Sequence, residues 1–206
     1  LINFHGNGSI ACDKSYLIDF FKQDHLNIAL AEYPGYARGE LKTEHHEQPS
    51  QRKILENALV LYDHLIQISP LPVILYGDSL GSSVATYVST QRPAEGLILK
   101  APFSSVGDVA ASRYKIFPVR ALLRHPFPST TWAPQTTAKS VLILHGTDDI
   151  TVPYEFGQRL AQSFTIPVNF QTFEGAGHNN RESQAEFEQI VRNYIHEALE
   201  PTPDHR

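Results

Sequence analysis

The chain contains no methionine and only one cysteine among its 206 residues. Because even the initiator methionine is absent, we expect a processed or truncated chain. Cys12 has no partner for an internal disulfide, which fits a reducing, cytoplasmic compartment. No apolar run approaches the roughly 18 to 20 residues that a membrane-spanning helix needs, and the N-terminus lacks a charged-then-apolar signal sequence. The sequence therefore predicts a soluble chain.

Internal repeats, low-complexity tracts and long linkers are also missing, which favours one domain over residues 1–206. A hydrophobic content of 41% is enough to bury a substantial core at this length. Strand-like and helix-like patterns alternate, which predicts an α/β fold with a mostly parallel sheet covered on both faces. Strands are expected near residues 1–4, 27–33, 72–76, 96–101, 140–145 and 167–173. Amphipathic helices are expected at Lys14–Lys22, Gln51–Ile68, Tyr154–Phe164 and Phe187–Leu199.

A Gly-x-Ser-x-Gly pentapeptide lies at Gly77–Gly81, between an apolar run and a small-residue stretch. This is the pattern of a nucleophile elbow, in which a strand turns sharply into a helix and exposes the serine hydroxyl. Glycines are needed beside the serine because side chains there would collide with the strand or the helix. Alone, the motif is also compatible with a turn that has no chemistry. Ser79 is the candidate nucleophile.

A nucleophilic serine needs a base to accept its proton and an acid to orient that base. A carboxylate, Asp148 or Asp149, follows the predicted strand that ends near Leu144. His178 lies in a glycine-containing loop after the last predicted strand. The ends of parallel strands are where the active sites of such sheets are found, so these groups are expected to meet.

The first predicted strand leads into His5-Gly6-Asn7-Gly8. Backbone N–H groups in such a loop can hold the oxyanion of a tetrahedral intermediate. We expect the N–H groups of Asn7 and Leu80 to form this oxyanion hole, with His5 bracing the neighbouring loops.

Together these motifs resemble the serine α/β-hydrolase superfamily over essentially the whole chain. The subgroup that the sequence resembles has a small cap and includes serine-aminopeptidase-like hydrolases, bud-emergence-type proteins and depalmitoylating α/β-hydrolase-domain proteins. The motifs that carry the resemblance are His5-Gly6-Asn7, Glu32-Tyr33-Pro34-Gly35-Tyr36, Gly77-Asp78-Ser79-Leu80-Gly81, Ala101-Pro102-Phe103-Ser104-Ser105 and the loops of Asp149 and His178.

The resemblance implies further expectations. The families that the chain resembles place the acid three residues before a Val-Pro pair. In this sequence the pair is Val152-Pro153, so the pattern selects Asp149 and not Asp148. Asp108 lies where some hydrolases carry an alternative acid. A strand pair normally precedes the strand that ends at His5, so the N-terminal strands of the fold are expected to be missing. Residues 104–135 are expected to form the small cap. Such a resemblance implies a reaction class and not a substrate.

The cap region has an unusual charge. From Val109 through Thr147 there is no Asp or Glu, while Lys and Arg contribute five positive charges to a chain of net charge −5. Val119, Leu122 and Leu123 are predicted to share one helical face, and Arg120 and Arg124 another. Two interpretations stay open: an ordinary amphipathic helix, or an acyl pocket whose cationic rim binds an anionic head group or a membrane surface. The candidate substrate-binding residues are Tyr114, Phe117, Arg120, Leu123, Arg124 and Trp132.

These observations predict a serine hydrolase that cleaves carboxylic esters or thioesters through an acyl-enzyme. Its expected partner is a small-molecule or lipid-like acyl substrate, with no nucleic acid. No metal or organic cofactor is expected, since the only histidine cluster, His45-His46-Glu47, lacks the spacing that brings two imidazoles to one zinc. One alternative is a serine peptidase on the same triad, although no acidic pair that could bind a substrate amino group is evident. Another is a non-catalytic binding module on a hydrolase fold.

Overall fold

A computed structural model describes residues 1–36, 48–114, 119–179 and 184–200, and in these ranges strands and helices alternate along the chain. The strands are β1 (Ile2–Phe4), β2 (Ala29–Ala31), β3 (Ile74–Asp78), β4 (Gly96–Lys100), β5 (Val141–Gly146) and β6 (Val168–Phe173). The α-helices are α1 (Tyr16–Phe21), α2 (Gln51–Ile68), α3 (Leu80–Gln91), α4 (Val106–Arg113), α5 (Val119–Leu122), α6 (Ser129–Trp132), α7 (Tyr154–Ala161) and α8 (Gln184–Leu199). Short 3₁₀ helices occur at Ala11–Lys14 and Ala133–Gln135.

The strands form one sheet in the order β2-β1-β3-β4-β5-β6, and every pairing between the described strands is parallel. The predicted parallel α/β architecture is thereby confirmed. Strands β3 to β5 are almost wholly buried, which explains why their sequences read as continuous apolar runs.

Helices cover both faces of the sheet and create two apolar clusters. One cluster joins α2, α3 and α7 to the sheet through residues such as Ile54, Val84 and Leu160. The other joins α1 and α8 to the opposite face through Phe21 and Val191. The central strands are therefore packed on both faces, and their carboxyl ends lie along one edge of the sheet.

The predicted bounds of α2 agree with the structure, where the helix runs from Gln51 to Ile68. Ser50 caps this helix, since its Oγ accepts a hydrogen bond from the N–H of Lys53 at 3.4 Å.

The predicted helix that would place Arg120 and Arg124 on one face is wrong. Helix α5 ends at Leu122, so Arg124 lies beyond it, and the Leu122 side chain is 72% exposed instead of packed on an apolar face. Pro126 follows closely and restricts the residue before it to extended backbone, which opposes a longer helix.

None of the helices in the described ranges is long and apolar enough to cross a membrane. His45, His46 and Glu47 lie outside the described residues.

Candidate active site

Ser79 occupies the turn between β3, which ends at Asp78, and α3, which begins at Leu80. Its backbone φ is +50°, in a region that costs a residue other than glycine about 1 to 3 kcal/mol. The N–H of Ser79 donates to the carbonyl of Lys100 at 2.8 Å, and the Ser82 Oγ donates to the carbonyl of Ser79 at 2.6 Å. These bonds hold the strained serine in place.

The two glycines of the motif are required by close packing. A Cβ on Gly77 would lie 2.2 Å from the carbonyl oxygen of Gly81. A Cβ on Gly81 would lie 1.9 Å from the carbonyl oxygen of Phe4. The elbow thus packs tightly against the end of β1.

His178 and Asp149, in the loops that follow β6 and β5, form a hydrogen-bonded pair. The Asp149 Oδ2 lies 2.6 Å from the His178 Nδ1, and the Asp149 side chain is fully buried while that of His178 is 15% exposed. A carboxylate is an acceptor, so the pair holds a proton on Nδ1 and leaves the Nε2 lone pair of His178 free to accept a proton.

Asp149 is fixed by several donors. Its Oδ1 accepts from the N–H groups of Thr151 at 2.8 Å and Val152 at 2.7 Å. Burial alone raises the pKa of Asp149, but hydrogen bonds from His145, His178 and the Val152 N–H, with the positive charge that His178 carries when it is protonated, lower that pKa well below its usual range. Asp149 is therefore an anion across the neutral and mildly acidic range.

His145 braces the Asp149 loop. It is 1% exposed, its Nε2 lies 2.9 Å from the carbonyl of Val152, and the same nitrogen lies 3.4 Å from the Asp149 Oδ2. Both neighbours are acceptors, so Nε2 carries the ring proton. The site loops are also joined directly, since the N–H of Asp148 donates to the carbonyl of Ala176 at 3.0 Å.

The other two candidate acids lie elsewhere. Asp148 is exposed, and its Oδ1 accepts from the Thr147 hydroxyl at 3.3 Å. Asp108, on α4, accepts from the Ser104 hydroxyl at 2.5 Å and lies 3.6 Å from Arg159. It is Asp149 that the structure places against His178.

The Gly6–Gly8 loop lies against the elbow, because a Cβ on Gly6 would be 3.4 Å from the Cβ of Ser79. Leu80 is the first residue of α3, so its N–H has no acceptor within the helix. The positive end of the α3 dipole is at the same place, which favours a developing negative charge.

A buried charge cluster beside the elbow was missed by the sequence analysis. Asp78 is 5% exposed, and its Oδ2 lies 3.1 Å from the Lys14 Nζ and 3.3 Å from the Asn3 Nδ2, which donates to it. The Lys100 Nζ lies 3.8 Å from the Oδ1 of the same carboxylate. No local pattern pairs residues so distant in sequence.

A cavity of about 440 Å³ lies beside His178, between α1, α8 and the carboxyl ends of β3 to β6. Its walls include the aromatic side chains of Tyr16, Phe20, Phe173 and Phe187. Three glutamates, Glu174, Glu186 and Glu188, and one lysine, Lys100, also line it. The sequence analysis did not identify this acidic group, because its members come from a loop and a separate helix.

The predicted substrate-binding residues whose side chains the structure describes, Tyr114, Leu123, Arg124 and Trp132, do not line that cavity. Arg124 and Trp132 instead share a separate groove with α2 residues, and Trp132 packs on Tyr87 with ring centroids 5.0 Å apart. Tyr114 is 59% exposed and Leu123 is half-buried. Phe117 and the side chain of Arg120 lie outside the described part of the chain. Their role in substrate binding stays a prediction.

Among the described residues, no group of three or more His, Cys, Asp or Glu side chains is arranged to hold a metal ion.

A strained serine turn after a central parallel strand, with a histidine and a carboxylate from later strands, defines an α/β-hydrolase. The chain belongs to the serine aminopeptidase S33 family, whose model matches residues 1–141. A second model, for TAP-like proteins, matches residues 122–206. The resemblance to the α/β-hydrolase superfamily is thereby confirmed.

Two relatives show the extent of the similarity. An uncharacterized protein of Mycobacterium tuberculosis is 31% identical over 160 residues, which cover 76% of this chain and 54% of that protein. The alpha/beta hydrolase domain-containing protein 17B of Homo sapiens is 26% identical over 203 residues, which cover 97% of this chain and 67% of that protein. The chain therefore spans between about half and two thirds of the length of these relatives.

Among solved structures, the crystal structure of Paleococcus ferrophilus monoacylglycerol lipase superposes with a TM-score of 0.70 at 18% sequence identity. The match covers 96% of this chain and 93% of the lipase chain. At this identity the likeness shows the fold alone.

Proposed function

We propose that this chain is a serine hydrolase that cleaves carboxylic esters or thioesters through an acyl-enzyme. The observation that carries the proposal is the strained Ser79, at φ +50°, together with the His178–Asp149 hydrogen bond of 2.6 Å in the loops that follow β6 and β5. Strain of this kind persists only where the surroundings maintain it, and it is concentrated at functional sites.

In the acylation step, the Ser79 Oγ attacks the substrate carbonyl carbon while its proton passes to the Nε2 of His178. Asp149 keeps the other ring proton on Nδ1 and stabilises the imidazolium that forms. The carbonyl oxygen becomes an oxyanion that accepts hydrogen bonds from the N–H groups of Asn7 and Leu80. When the tetrahedral intermediate collapses, His178 returns the proton to the leaving alcohol or thiol.

In the deacylation step, His178 takes a proton from water, and the resulting hydroxide equivalent attacks the acyl carbon on Ser79. The second tetrahedral intermediate uses the same two N–H donors. Its collapse releases the carboxylic acid and restores the Ser79 hydroxyl with the proton from His178.

Aromatic side chains in the cavity beside His178, such as Phe173 and Phe187, support an apolar acyl group as the substrate, although Ser79 is not among the residues that line this cavity. The volume of about 440 Å³ is in the range of small-molecule sites, roughly 300 to 1,000 Å³. The acid-free, basic stretch from Val109 through Thr147 is predicted to contact the anionic head group of a lipid or a membrane surface, and this remains a prediction.

A second candidate is a serine peptidase that releases N-terminal residues. One observation favours it: Glu174, Glu186 and Glu188 line the same cavity as His178, where carboxylates suit a substrate ammonium group. Hydrolysis of p-nitrophenyl acyl esters and of aminoacyl p-nitroanilides by one preparation distinguishes the two candidates. Faster turnover of the anilides, measured as kcat/KM, would favour the peptidase.

Labelling with a fluorophosphonate probe tests the nucleophile. We expect the wild-type protein to be labelled and Ser79→Ala to be neither labelled nor active, while it melts at nearly the same temperature because only a hydroxyl is lost. Ser15→Ala is the matched control, since Ser15 is exposed and makes no side-chain cap bond. An active Ser79→Ala protein would remove Ser79 from the mechanism, and failure of the folded wild type to label would favour a non-catalytic binding module.

A further inference from the structure

His5 is a buried histidine with an oxygen acceptor at each ring nitrogen. Its side chain has no exposed surface. The Nδ1 lies 2.9 Å from the carbonyl oxygen of Gly6, and the Nε2 lies 3.1 Å from the Oε1 of Glu32. A neutral imidazole has one N–H and can donate to only one of these, whereas an imidazolium donates to both.

Glu32 supplies both the negative charge and the anchor for this ring. Its Oε1 also accepts from the N–H of Tyr33 at 2.9 Å, and its Oε2 accepts from the N–H of Ala11 at 3.0 Å. The carboxylate thus has a fixed position between the segment after β2 and the 3₁₀ helix that follows the Gly6–Gly8 loop. A carbonyl oxygen can only accept a hydrogen bond, so the Nδ1 that lies 2.9 Å from the Gly6 oxygen is the donor in that contact.

Two tyrosines complete the packing around His5. The Tyr33 ring centroid lies 4.1 Å from that of His5, and the Tyr33 hydroxyl donates to the carbonyl of His5 at 3.0 Å. The Tyr36 ring lies 5.5 Å away, and its hydroxyl donates to the Asn7 Oδ1 at 2.7 Å. The ring of His5 therefore has little room to turn.

The acceptor of the Nδ1 proton is the important contact. The carbonyl of Gly6 and the N–H of Asn7 belong to the same planar peptide group, in which they point in opposite directions. A donor that fixes the Gly6 oxygen therefore also fixes the direction of the Asn7 N–H. The Ser9 N–H holds this oxygen too, at 3.2 Å, but it belongs to the same loop, whereas the His5 ring is anchored outside the loop through Glu32.

We propose that His5, held by Glu32, is a positioning residue that aims the Asn7 N–H at the oxyanion through the Gly6–Asn7 peptide. The hydrogen bond that the Gly6 oxygen accepts also polarises this peptide and strengthens its N–H as a hydrogen-bond donor. The inference rests on the proposed serine hydrolase function, since it concerns the oxyanion of that reaction.

The test compares three variants in ester hydrolysis. His5→Phe keeps an aromatic ring but removes both donors, and we expect kcat to fall at least tenfold while KM changes less than twofold. Complete loss of an oxyanion donor lowers kcat by about 10²- to 10³-fold, and this is the largest loss that we expect for His5→Phe. His5→Asn places an amide N–H₂ where Nδ1 stands, so it should recover most of the lost kcat. His64→Phe, the same replacement on the exposed face of α2, is the matched control.

A boronic acid that forms a tetrahedral adduct on Ser79 gives a second measurement. We expect its inhibition constant to rise with His5→Phe in parallel with the loss of kcat/KM, because both depend on the oxyanion. If His5→Phe does not fold, His5→Asn and His5→Ala replace it, and the asparagine variant should exceed the alanine variant at least tenfold in kcat.

The outcomes separate this inference from the function it rests on. If the wild type hydrolyses esters and His5→Phe keeps its kcat, or His5→Asn is no better than a variant without a donor, the positioning role is refuted and the hydrolase function stands. If the folded wild type hydrolyses no ester and is not labelled by a fluorophosphonate, the proposed function itself fails.

Discussion

Replacement of Asp149 by asparagine should nearly abolish turnover without unfolding the protein. The Oδ1 of Asp149 accepts from two backbone N–H groups, those of Thr151 and Val152, and only an oxygen can fill that position. The asparagine oxygen will therefore stay there, and its N–H₂ group will face the His178 Nδ1. Two donors cannot bond to each other, so Nδ1 must become the acceptor and the ring proton must move to Nε2.

The magnitude follows from that change of tautomer. With a proton on Nε2, His178 cannot accept the proton of Ser79, and an exchange of this kind in serine hydrolysis lowers kcat by about 10⁴-fold. At 1.36 kcal/mol for each factor of ten, this corresponds to about 5 kcal/mol of transition-state free energy. The folded structure should survive, because the variant keeps the shape of the side chain and both backbone hydrogen bonds.

The assay is p-nitrophenyl ester hydrolysis, with melting curves to confirm folding. Asp148→Asn is the matched control, since Asp148 is exposed and, within the described part of the chain, its carboxylate bonds only to Thr147; its kcat should change less than twofold. Equal losses in the two variants, or a larger loss with Asp148→Asn, would show that Asp149 does not orient His178.

Two further predictions concern stability. Gly81→Ala should lower the free energy of unfolding by at least the roughly 1 to 3 kcal/mol typical of overpacking, because the new Cβ would lie 1.9 Å from the Phe4 carbonyl oxygen. Gly8→Ala is the control and should leave stability unchanged, since its Cβ would have no atom within 4 Å. Equal urea midpoints for the two variants would contradict this prediction. Because the pKa of Asp149 is lowered in the folded state, its contribution is complete above its unfolded pKa of about 3.9 and is lost as pH falls below that value. The stability difference between wild type and Asp149→Asn should therefore shrink from pH 5 to pH 3, by at most about 1.4 kcal/mol per pH unit, and a constant difference in urea titrations would refute the assignment.

Most of the fold could be predicted from the sequence because the spacing of apolar residues indicates which side chains of a helix or strand are buried. The α2 helix shows apolar residues such as Ile54, Leu55 and Ala58 at helical spacing, and all three are buried in the structure. The apolar run before Gly77 predicted the buried strand β3. Both patterns are local in sequence, so they can be recognised without knowledge of the tertiary contacts.

The sequence was less informative where contacts join distant segments. The Asp78–Lys14 bridge and the His5–Glu32 pair unite residues on different elements, and neither has a spacing rule that would predict it. The short α5 was mispredicted for another reason. Its residues have helical spacing, but the following proline limits the helix and nothing in the described structure buries Leu122.

The charge of Asp78 bears on how the oxyanion could be stabilised. A buried carboxylate immediately before Ser79 would, by itself, repel the negative charge that forms on the substrate oxygen. Lys14 and Lys100 bring two positive charges within 3.1 Å and 3.8 Å of that carboxylate, so the cluster as a whole is cationic. Lys14 also lies at the end of the 3₁₀ helix that follows the Gly6–Gly8 loop. Its bridge to Asp78 therefore ties the loop with one proposed oxyanion donor to the strand that carries the nucleophile. Since both donors must converge on one oxygen, this link and the His5–Glu32 pair restrain the same loop from two sides.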